Sequence, residues 1–323
     1  MIKAGIDLGY NATKVMRDKA KSIFPSIVGT PDQARFSLNG NSDMILTSPD
    51  GTICLVGEGA IAQSRFIVRR EDREWIFSVE YRQLMLAAFT ELATGSVELK
   101  IVTGLPVSFY DDKATLQQVF LGEHRVSRSD RDRSQTFTVS ECRVIPQPFG
   151  ALLAASLNDH GRITDQNLAA GAVAIIDVGG KTTNLLSVNR LSEIAKETAS
   201  VSTGAWDAVR MVREYLVTKC PNLELRDHEI VKAISNRSTK YYGQPVDLTK
   251  IVEAALDPMA EQVIAQASQL WGSGARLDAV LVAGGGALLL GPYIKRHFRH
   301  ARVVDDPVFA NVTGYYRFAQ RLK

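Results

Sequence analysis

Short apolar runs alternate with longer amphipathic segments along the chain. Apolar runs of strand length occupy residues 2–8, 13–16, 53–56, 99–103, 172–177 and 277–283. The helical spacing of apolar residues predicts helices over 79–93 (with Ser78 as the cap), 149–158, 205–219, 227–234, 248–271 and through 292–298. Strands that alternate with helices predict an α/β architecture in which the strands pair mainly in parallel.

The length of the chain favours two domains. The chain has 323 residues, 45% of them hydrophobic and 23% charged, so it can bury a sizeable core. A domain averages about 150 residues, which makes two domains the natural division. The polar stretch over 159–170 follows an Ala/Leu-rich helix and is predicted to link the two halves.

Two segments, one in each half, match in register. Residues 6–13 (Ile-Asp-Leu-Gly-Tyr-Asn-Ala-Thr) lie over residues 176–183 (Ile-Asp-Val-Gly-Gly-Lys-Thr-Thr). Each copy joins two apolar strands through Asp, Gly and a short turn, which predicts a β-hairpin with its Asp at the mouth of the turn. One copy alone is equally typical of an ordinary tight hairpin, but two copies in one register indicate a shared chemical role.

The chemistry of these hairpins suits a polyphosphate. Glycine lets the backbone approach closely, and successive N–H groups of a turn form an anion-binding nest. A carboxylate repels phosphate, so Asp7 and Asp177 indicate a Mg²⁺ ion held largely through its water shell. Lys14 adds a compact positive charge just after the first turn. We therefore expect facing nests from the two halves to bind a magnesium–polyphosphate.

A third glycine cluster follows the apolar strand that ends at residue 283. Glycines between a strand and a helix allow close approach of a base or sugar, although Gly284, Gly285 and Gly286 alone are more typical of a plain turn. The chain has neither the Rossmann G-x-G-x-x-G spacing nor the G-x-x-x-x-G-K-[ST] spacing of a Walker P-loop, since Ile175 stands five residues before Gly180-Lys181-Thr182, so a P-loop ATPase is disfavoured.

These segments resemble the phosphate 1, phosphate 2 and adenosine motifs of the actin, heat-shock chaperone and sugar kinase superfamily. Residues 144–151 (Val-Ile-Pro-Gln-Pro-Phe-Gly-Ala) resemble its first connecting segment. Within the superfamily, the chain is most similar to the ParM/StbA group of bacterial plasmid-segregation actins, through residues 56–60, 102–108 and 311–316. The resemblance implies two related actin-like (ribonuclease H-like) α/β domains with a nucleotide cleft between them. The expected first domain spans 1–158 plus 305–323, and the second spans 171–304.

The resemblance also implies a role for each matching residue, with ATP (GTP left open) and Mg²⁺ as ligands. Asp7 and Asp177 would position the metal through water, Asp177 also the attacking water, and Gln147 would orient that water. The residues implied to surround the nucleotide are Gly9, Tyr10, Asn11, Ala12, Thr13 and Lys14 at the β-phosphate; Gly179, Gly180, Lys181 and Thr182 at the γ-phosphate; and Gly204, Arg213, Glu214, Gly284, Gly285 and Gly286 at the ribose and base.

Several of these positions admit a plainer interpretation. Gln147 could be a turn residue before Pro148, and Arg213 with Glu214 could form a solvated helical pair. Tyr10 stands where actins often place a small hydroxyl residue, and Asn184 replaces an acidic residue common in the family's second motif. The residue at position 10 affects the expected contact with the γ-phosphate, and the residue at position 184 affects the expected binding of the metal.

The function implied by the resemblance is a polymerising ATPase. Such a protein would hydrolyse ATP, assemble with copies of itself into filaments, and segregate plasmid DNA through a DNA-binding adaptor protein. A non-polymerising actin-like scaffold ATPase and a small-metabolite kinase of the same superfamily remain alternatives, although we find no distinct acceptor-binding motif for a kinase. A net charge of +3 and the lack of a recognition motif predict no direct contact with nucleic acid.

Composition and hydropathy predict a cytoplasmic protein. Cys54, Cys142 and Cys220 are scattered and form no Cys-x-x-Cys unit, which favours a reducing compartment. No apolar run approaches the roughly 20 residues that a membrane helix needs, and no signal-peptide pattern follows Met1. We expect no membrane partner.

Two segments are candidate contact surfaces. The first combines Phe66, Ile67 and Val68, next to Arg69 and Arg70, with Trp75, Ile76 and Phe77; a core hairpin is the alternative. The second is the charged stretch 123–134, which is predicted as a solvated hairpin or loop, with a partner-binding loop as the alternative.

Overall fold

The computed structural model describes residues 1–30, 43–68, 73–131 and 134–323. The chain divides into two compact units. The first comprises Met1–Gln166 and Phe309–Lys323, and the second comprises Asn167–Val308.

The first unit is built around a ten-stranded sheet. Its strands are β1 (Ile2–Leu8), β2 (Ala12–Arg17), β3 (Ala20–Pro25), β4 (Val28–Gly29), β5 (Met44–Thr47), β6 (Ile53–Val56), β7 (Ile67–Val68), β8 (Ser96–Leu105), β9 (Gly122–Arg128) and β10 (Gln135–Pro146). Its helices up to residue 156 are α1 (Glu58–Gln63), α2 (Val79–Leu92), α3 (Lys113–Phe120) and α4 (Gln147–Ser156), with 3₁₀ turns at Arg73–Phe77 and Val107–Asp112.

Strand pairing in the first unit is mixed. The order is β3-β2-β1-β8-β10-β9-β5-β6-β4-β7, with β1 antiparallel to β2 and parallel to β8. Helix α2 packs its apolar face on this sheet, and Ser78 caps it by accepting a hydrogen bond from the backbone N–H of Tyr81, 3.1 Å away. The predicted strand at 2–8 and the predicted cap are confirmed.

The second unit repeats the same central arrangement. Its elements are α5 (Gln166–Ala170), β11 (Ala172–Val178), β12 (Thr183–Asn189), β13 (Ser192–Glu193), β14 (Ala199–Val201), α6 (Ala205–Lys219), α7 (Asp227–Asn236), β15 (Ser238–Tyr241), β16 (Gln244–Asp247), α8 (Thr249–Trp271), β17 (Ala279–Ala283), α9 (Ala287–His297) and β18 (Ala301–Val303). Strand β11 is antiparallel to β12 and parallel to β17, as β1 is to β2 and β8. The predicted α/β class with two related actin-like units is confirmed.

Helix α8 is the longest helix, at 23 residues, and it packs one side on the core of the second unit. Among the helices that the structure describes, none combines the length and the apolar character needed to cross a membrane.

The chain ends with α10 (Ala310–Ala319), which packs within the first unit against β1 and α4. Glycines make this close packing feasible. A Cβ atom at Gly5 would lie 2.5 Å from the carbonyl oxygen of Val312, and one at Gly314 would lie 1.8 Å from that of Gly150. Because these neighbours are backbone atoms, a larger residue would separate the elements.

Some predictions are corrected by the structure. Trp75 and Ile76, predicted as part of an exposed surface, are buried in the core, whereas Phe66 and Phe77 are exposed. Arg69 and Arg70 lie outside the described residues. Helix α4 begins at Gln147 rather than 149. Within the described residues, the charged stretch 123–134 contributes strand β9, which pairs antiparallel with β10, so the predicted hairpin is confirmed. The burial of Trp75 and Ile76 was missed because it depends on packing with residues that are distant in the chain.

We predict that Gly314→Ala destabilises the first unit. The added methyl group collides with the Gly150 carbonyl, and overpacking costs about 1–3 kcal/mol or more, against at most about 1 kcal/mol gained from helix propensity. We expect a net loss near 2 kcal/mol in the free energy of unfolding, measured by urea denaturation. Thr115→Ala, on the exposed face of α3, is the control and should change stability by less than about 0.5 kcal/mol. A Gly314→Ala protein as stable as the control would contradict the packing.

Candidate functional site

The first turn, residues 9–12, joins β1 to β2. The backbone N–H of Gly9 donates to the carbonyl of Ala12 at 3.2 Å and closes the turn. Ser26, directly after β3, stabilises the turn by two contacts. Its N–H donates to the Asn11 carbonyl at 3.0 Å, and its Oγ lies 3.0 Å from Oγ1 of buried Thr13. The turn is therefore held from within and from the neighbouring strand.

Asp7 is a buried carboxylate beside this turn, with 3% of its surface exposed. Lys14, directly opposite on β2, donates from Nζ to Oδ2 of Asp7 at 3.2 Å. Gln147, the first residue of α4, donates from Nε2 to Oδ1 at 3.3 Å. A buried carboxylate is costly unless it is paired and hydrogen-bonded, and here both oxygens have donors. The structure thus brings together three residues that are up to 140 positions apart in the sequence.

Tyr10 packs its ring on the core of the first unit. Its centroid lies 6.1 Å from that of Trp75, at an interplanar angle of 40°. The side chain of Tyr10 therefore helps to fix the turn, while Asn11 is exposed at its tip. This placement accounts for an aromatic residue at a position where the resemblance led us to expect a small hydroxyl residue.

The second turn, residues 179–182, joins β11 to β12 in the same way. The N–H of Gly179 donates to the carbonyl of Thr182 at 2.9 Å. Buried Thr183 donates from Oγ1 to the carbonyl of Thr203 at 2.8 Å, just as Thr13 contacts Ser26 in the first unit. The two turns are closed by equivalent hydrogen bonds and braced by equivalent threonines.

Asp177 is the counterpart of Asp7, with 5% of its surface exposed. The residue opposite it on β12 is Asn184, whose Oδ1 accepts a hydrogen bond from Ser200 Oγ at 2.7 Å. Asn184 therefore ties β12 to β14. An Asp carboxylate could accept the same hydrogen bond, so this contact does not explain why Asn replaces an acidic residue here.

The N-terminus of α6 rests on the second turn. The N–H groups of Ala205 and Trp206 donate to the carbonyls of Gly179 and Gly180, at 3.0 and 2.9 Å. A Cβ atom at Gly204 would lie 2.3 Å from the Gly180 carbonyl oxygen, so only glycine permits this approach. The helix thereby satisfies two of its N-terminal donors and holds the turn in place.

The third glycine cluster lies against the end of β11. Gly284 has φ +89°, and a Cβ atom there would lie 2.4 Å from Oδ1 of Asp177. The N–H of Gly286 donates to the Val178 carbonyl at 2.9 Å. Gly285 is exposed, and a Cβ atom there would meet nothing within 4 Å, so packing among the described residues does not require glycine at this position. This opening suits the close approach of a ligand.

Arg213 and Glu214 lie on the third turn of α6. Arg213 donates to the Leu225 carbonyl at 2.9 Å and forms an ion pair with Asp227 at the start of α7. Glu214 is exposed. The ion-pair partner of Arg213 is thus Asp227. Arg213 and Glu214 therefore do not form the solvated helical pair that we considered.

Sequence reasoning missed some residues of the site. Ser26 and Thr203 brace the two turns, and Leu288 is 67% exposed on the first turn of α9, close to Gly285 in the chain. The sequence indicated Leu288 only by placing an apolar side chain two residues after the glycine cluster. Ser26 and Thr203 carry no local signal, because their role depends on strand pairing.

The carboxylates fit a magnesium ion that arrives with phosphate. In the described parts of the chain, no group of three or more His, Cys, Asp or Glu residues could hold a metal ion. Asp7 and Asp177 are each the acidic residue of their own turn. Mg²⁺ usually keeps several waters and takes one or two carboxylates plus substrate phosphates, so the single carboxylate that each turn offers is a donor of the kind it takes.

Solved structures with similar folds match the whole chain. A non-polymerisable quadruple mutant of pCBH ParM is 24% identical, with a TM-score of 0.80 and 99% of each chain covered. A crystal structure of an archaeal actin homologue in complex with ADP is 23% identical, with a TM-score of 0.80 and full coverage of both chains. A 15-stranded ParM filament from Clostridium botulinum is 23% identical, with a TM-score of 0.77 and full coverage. The fold is therefore that of the actin-like proteins.

Family models agree with this class. The model described as the N-terminal domain of actin-like proteins matches residues 5–150, and that of the C-terminal domain of the archaeal MreB-like actin homologue matches residues 175–296. Among curated proteins, none matches the chain by sequence. The chain belongs to the actin-like protein family.

We predict that Lys14→Met destabilises the first unit by about 1–3 kcal/mol in urea denaturation. The substitution keeps the length of the side chain but leaves the buried Asp7 carboxylate without its cation. Lys232→Met on the exposed face of α7 removes the same charge from a solvated position and should be nearly neutral. Equal stability of the two variants would show that Asp7 does not depend on Lys14.

Proposed function

We propose that this protein is an ATPase that binds Mg-ATP through both turns and assembles into filaments in response to the nucleotide. The observation that carries the proposal is the repeated construction: each unit has a buried aspartate at the end of its central strand, followed by a glycine turn closed by one N–H···O bond. A single such turn is commonplace, whereas two equivalent ones in an actin-like fold support a common ligand.

The first turn is proposed to hold the β-phosphate through the backbone of residues 9–13 and through Lys14. The second turn is proposed to surround the γ-phosphate with Gly179, Gly180, Lys181 and Thr182. Turn backbones attract phosphate because their N–H groups form an anion-binding nest, and the second turn is also held by the N-terminus of α6. The domain boundaries proposed from the sequence give each domain one of these turns.

The base is proposed to lie beside the third glycine cluster. Gly285 leaves the backbone open, and exposed Leu288 offers an apolar surface on the adjoining helix. Such a surface accommodates the flat face of a purine, and it suits guanine as well as adenine, so GTP stays an alternative ligand. Gly204, Arg213 and Glu214 are proposed to lie on the ribose side. Gly204 also allows α6 to pack on the second turn, and Arg213 also forms an ion pair with Asp227 of α7.

Hydrolysis is proposed to depend on positioning. Gln147 cannot act as a base, because an amide accepts no proton at neutral pH; its amide is held on Asp7 and can orient water by hydrogen bonds. Asp177, whose carboxylate lies against the backbone of Gly284, is proposed to position the attacking water. When bound, Mg²⁺ would neutralise part of the phosphate charge. Correct placement of water and phosphate supplies most of the rate in such reactions.

Filament formation is supported by the solved relatives, which include a ParM filament. We propose that this chain also assembles with copies of itself. A role in plasmid segregation, with a DNA-binding adaptor between filament and cargo, is the corresponding proposal for the cell. The balanced charge of +3 supports an adaptor rather than direct binding of DNA.

We predict that Mg-ATP drives the wild-type protein into a pelletable, light-scattering assembly and that the assembly hydrolyses ATP without any small acceptor. Gln147→Ala should still bind Mg-ATP and assemble, but its turnover should fall about 100-fold, because the attacking water loses its orientation. Asp50→Asn, a change in an exposed loop, should behave as wild type.

Two results would count against this proposal. Turnover that begins only when a sugar or another small acceptor is added would instead indicate a kinase. Absence of Mg-ATP-dependent assembly at high protein concentration would indicate a non-polymerising scaffold.

A further inference from the structure

An isolated hairpin in the second unit carries a prominent aromatic tip. Among the strands that the structure describes, β15 and β16 pair only with each other, and Tyr241 lies opposite Gln244. The two residues between them are Tyr242 and Gly243. Of the large hydrophobic side chains that the structure describes, Tyr242 is the most exposed, at 81%.

The turn places Tyr242 in an unfavourable backbone conformation. Both central residues have positive φ, 48° for Tyr242 and 79° for Gly243, as a type I′ turn requires. Asn, Asp and Gly are preferred at the first central position, because a larger side chain crowds the backbone there. A tyrosine at this position therefore weakens the turn. Residues in sparsely populated backbone conformations cluster at functional sites, so the strain at Tyr242 motivates a search for its function.

The hairpin is anchored both beside its turn, at Tyr241, and at its base. Tyr241 donates from its hydroxyl group to the Pro221 carbonyl at 2.9 Å. The N–H of Leu248 donates to the Arg237 carbonyl at 2.8 Å, and Leu248 is fully buried. Because the base is anchored in the core of the second unit, the tip projects from a firm support.

The turn faces open space at Gly243. A Cβ atom built at Gly243 would have no neighbour within 4 Å. The ring of Tyr242 lies 4.5 Å from that of Tyr241, within the same hairpin. Tyr241 belongs to the anchored part of the hairpin, so Tyr242 projects at the tip, and burial within its own unit does not account for a tyrosine there.

The composition of the hairpin favours a protein as its partner. Over residues 238–247 the charged residues are Lys240 and Asp247, so the hairpin is neutral and has no attraction for nucleic acid or an anionic membrane. Tyrosine is enriched among the residues that dominate protein–protein binding energy. A head-to-tail assembly needs a projection on one face of each copy that enters a different face of the next.

We propose that Tyr242 inserts into a second copy of this chain and holds successive copies together in the filament. This inference rests on the proposed function, because it requires nucleotide-dependent assembly. It adds the residue that makes the contact and the reason why the chain keeps a strained turn.

The test compares Tyr242→Asn with wild type by light scattering and pelleting in Mg-ATP. Asn-Gly is the preferred sequence for this turn, so the variant should unfold at a higher temperature than wild type. Its critical concentration for assembly should nevertheless rise about tenfold or more, as expected for loss of a dominant interface residue. A change that stabilises the fold and weakens assembly cannot be ascribed to misfolding.

Two variants serve as matched controls. Tyr242→Phe keeps the ring and should assemble at close to the wild-type concentration. Val217→Asn removes another exposed apolar side chain from the same unit, 66% exposed on α6, and should leave assembly unchanged. If wild type assembles and Tyr242→Asn does so at the same concentration, this inference is wrong while the proposed function stands. If wild type does not assemble at all, the proposed function itself fails.

Discussion

A buried carboxylate at the end of a strand has to be partnered, and this requirement shapes the site in the first unit. Asp7 is satisfied only if β2 runs antiparallel to β1 in the register that sets Lys14 opposite, and only if α4 begins where Gln147 can reach it. Desolvation makes any other arrangement costly. The charge therefore links strand register, helix start and turn position in one constraint.

In the second unit, close contacts between backbone segments surround the turn and the end of β11. Asp177 has an asparagine opposite it rather than a lysine, and Gly284 lies directly against its carboxylate. Gly204 and Gly286 bring α6 and α9 equally close to the turn and to the strand end. Three glycines without room for a side chain therefore determine how closely these elements pack around the second turn.

Local pattern was sufficient for much of the architecture. Strand β1, helix α6 and the two matched hairpins followed from apolar spacing and from the position of Asp and Gly, because these elements are determined by nearby residues. The burial of Trp75 did not follow, because it depends in part on the contact with Tyr10, which is 65 positions away in the chain and lies beside Trp75 only in the folded unit. The braces Ser26 and Thr203 were missed for the same reason. Whether the predicted nucleotide residues bind as proposed depends on a ligand, which no pattern of residues can test.

The proposed function requires both turns to bind one nucleotide. Isothermal titration of the wild-type chain with Mg-ATP should give one site per chain, and Asp7→Asn or Asp177→Asn should each weaken that same site. Two sites per chain, or one site that is indifferent to either of the two substitutions, would contradict it.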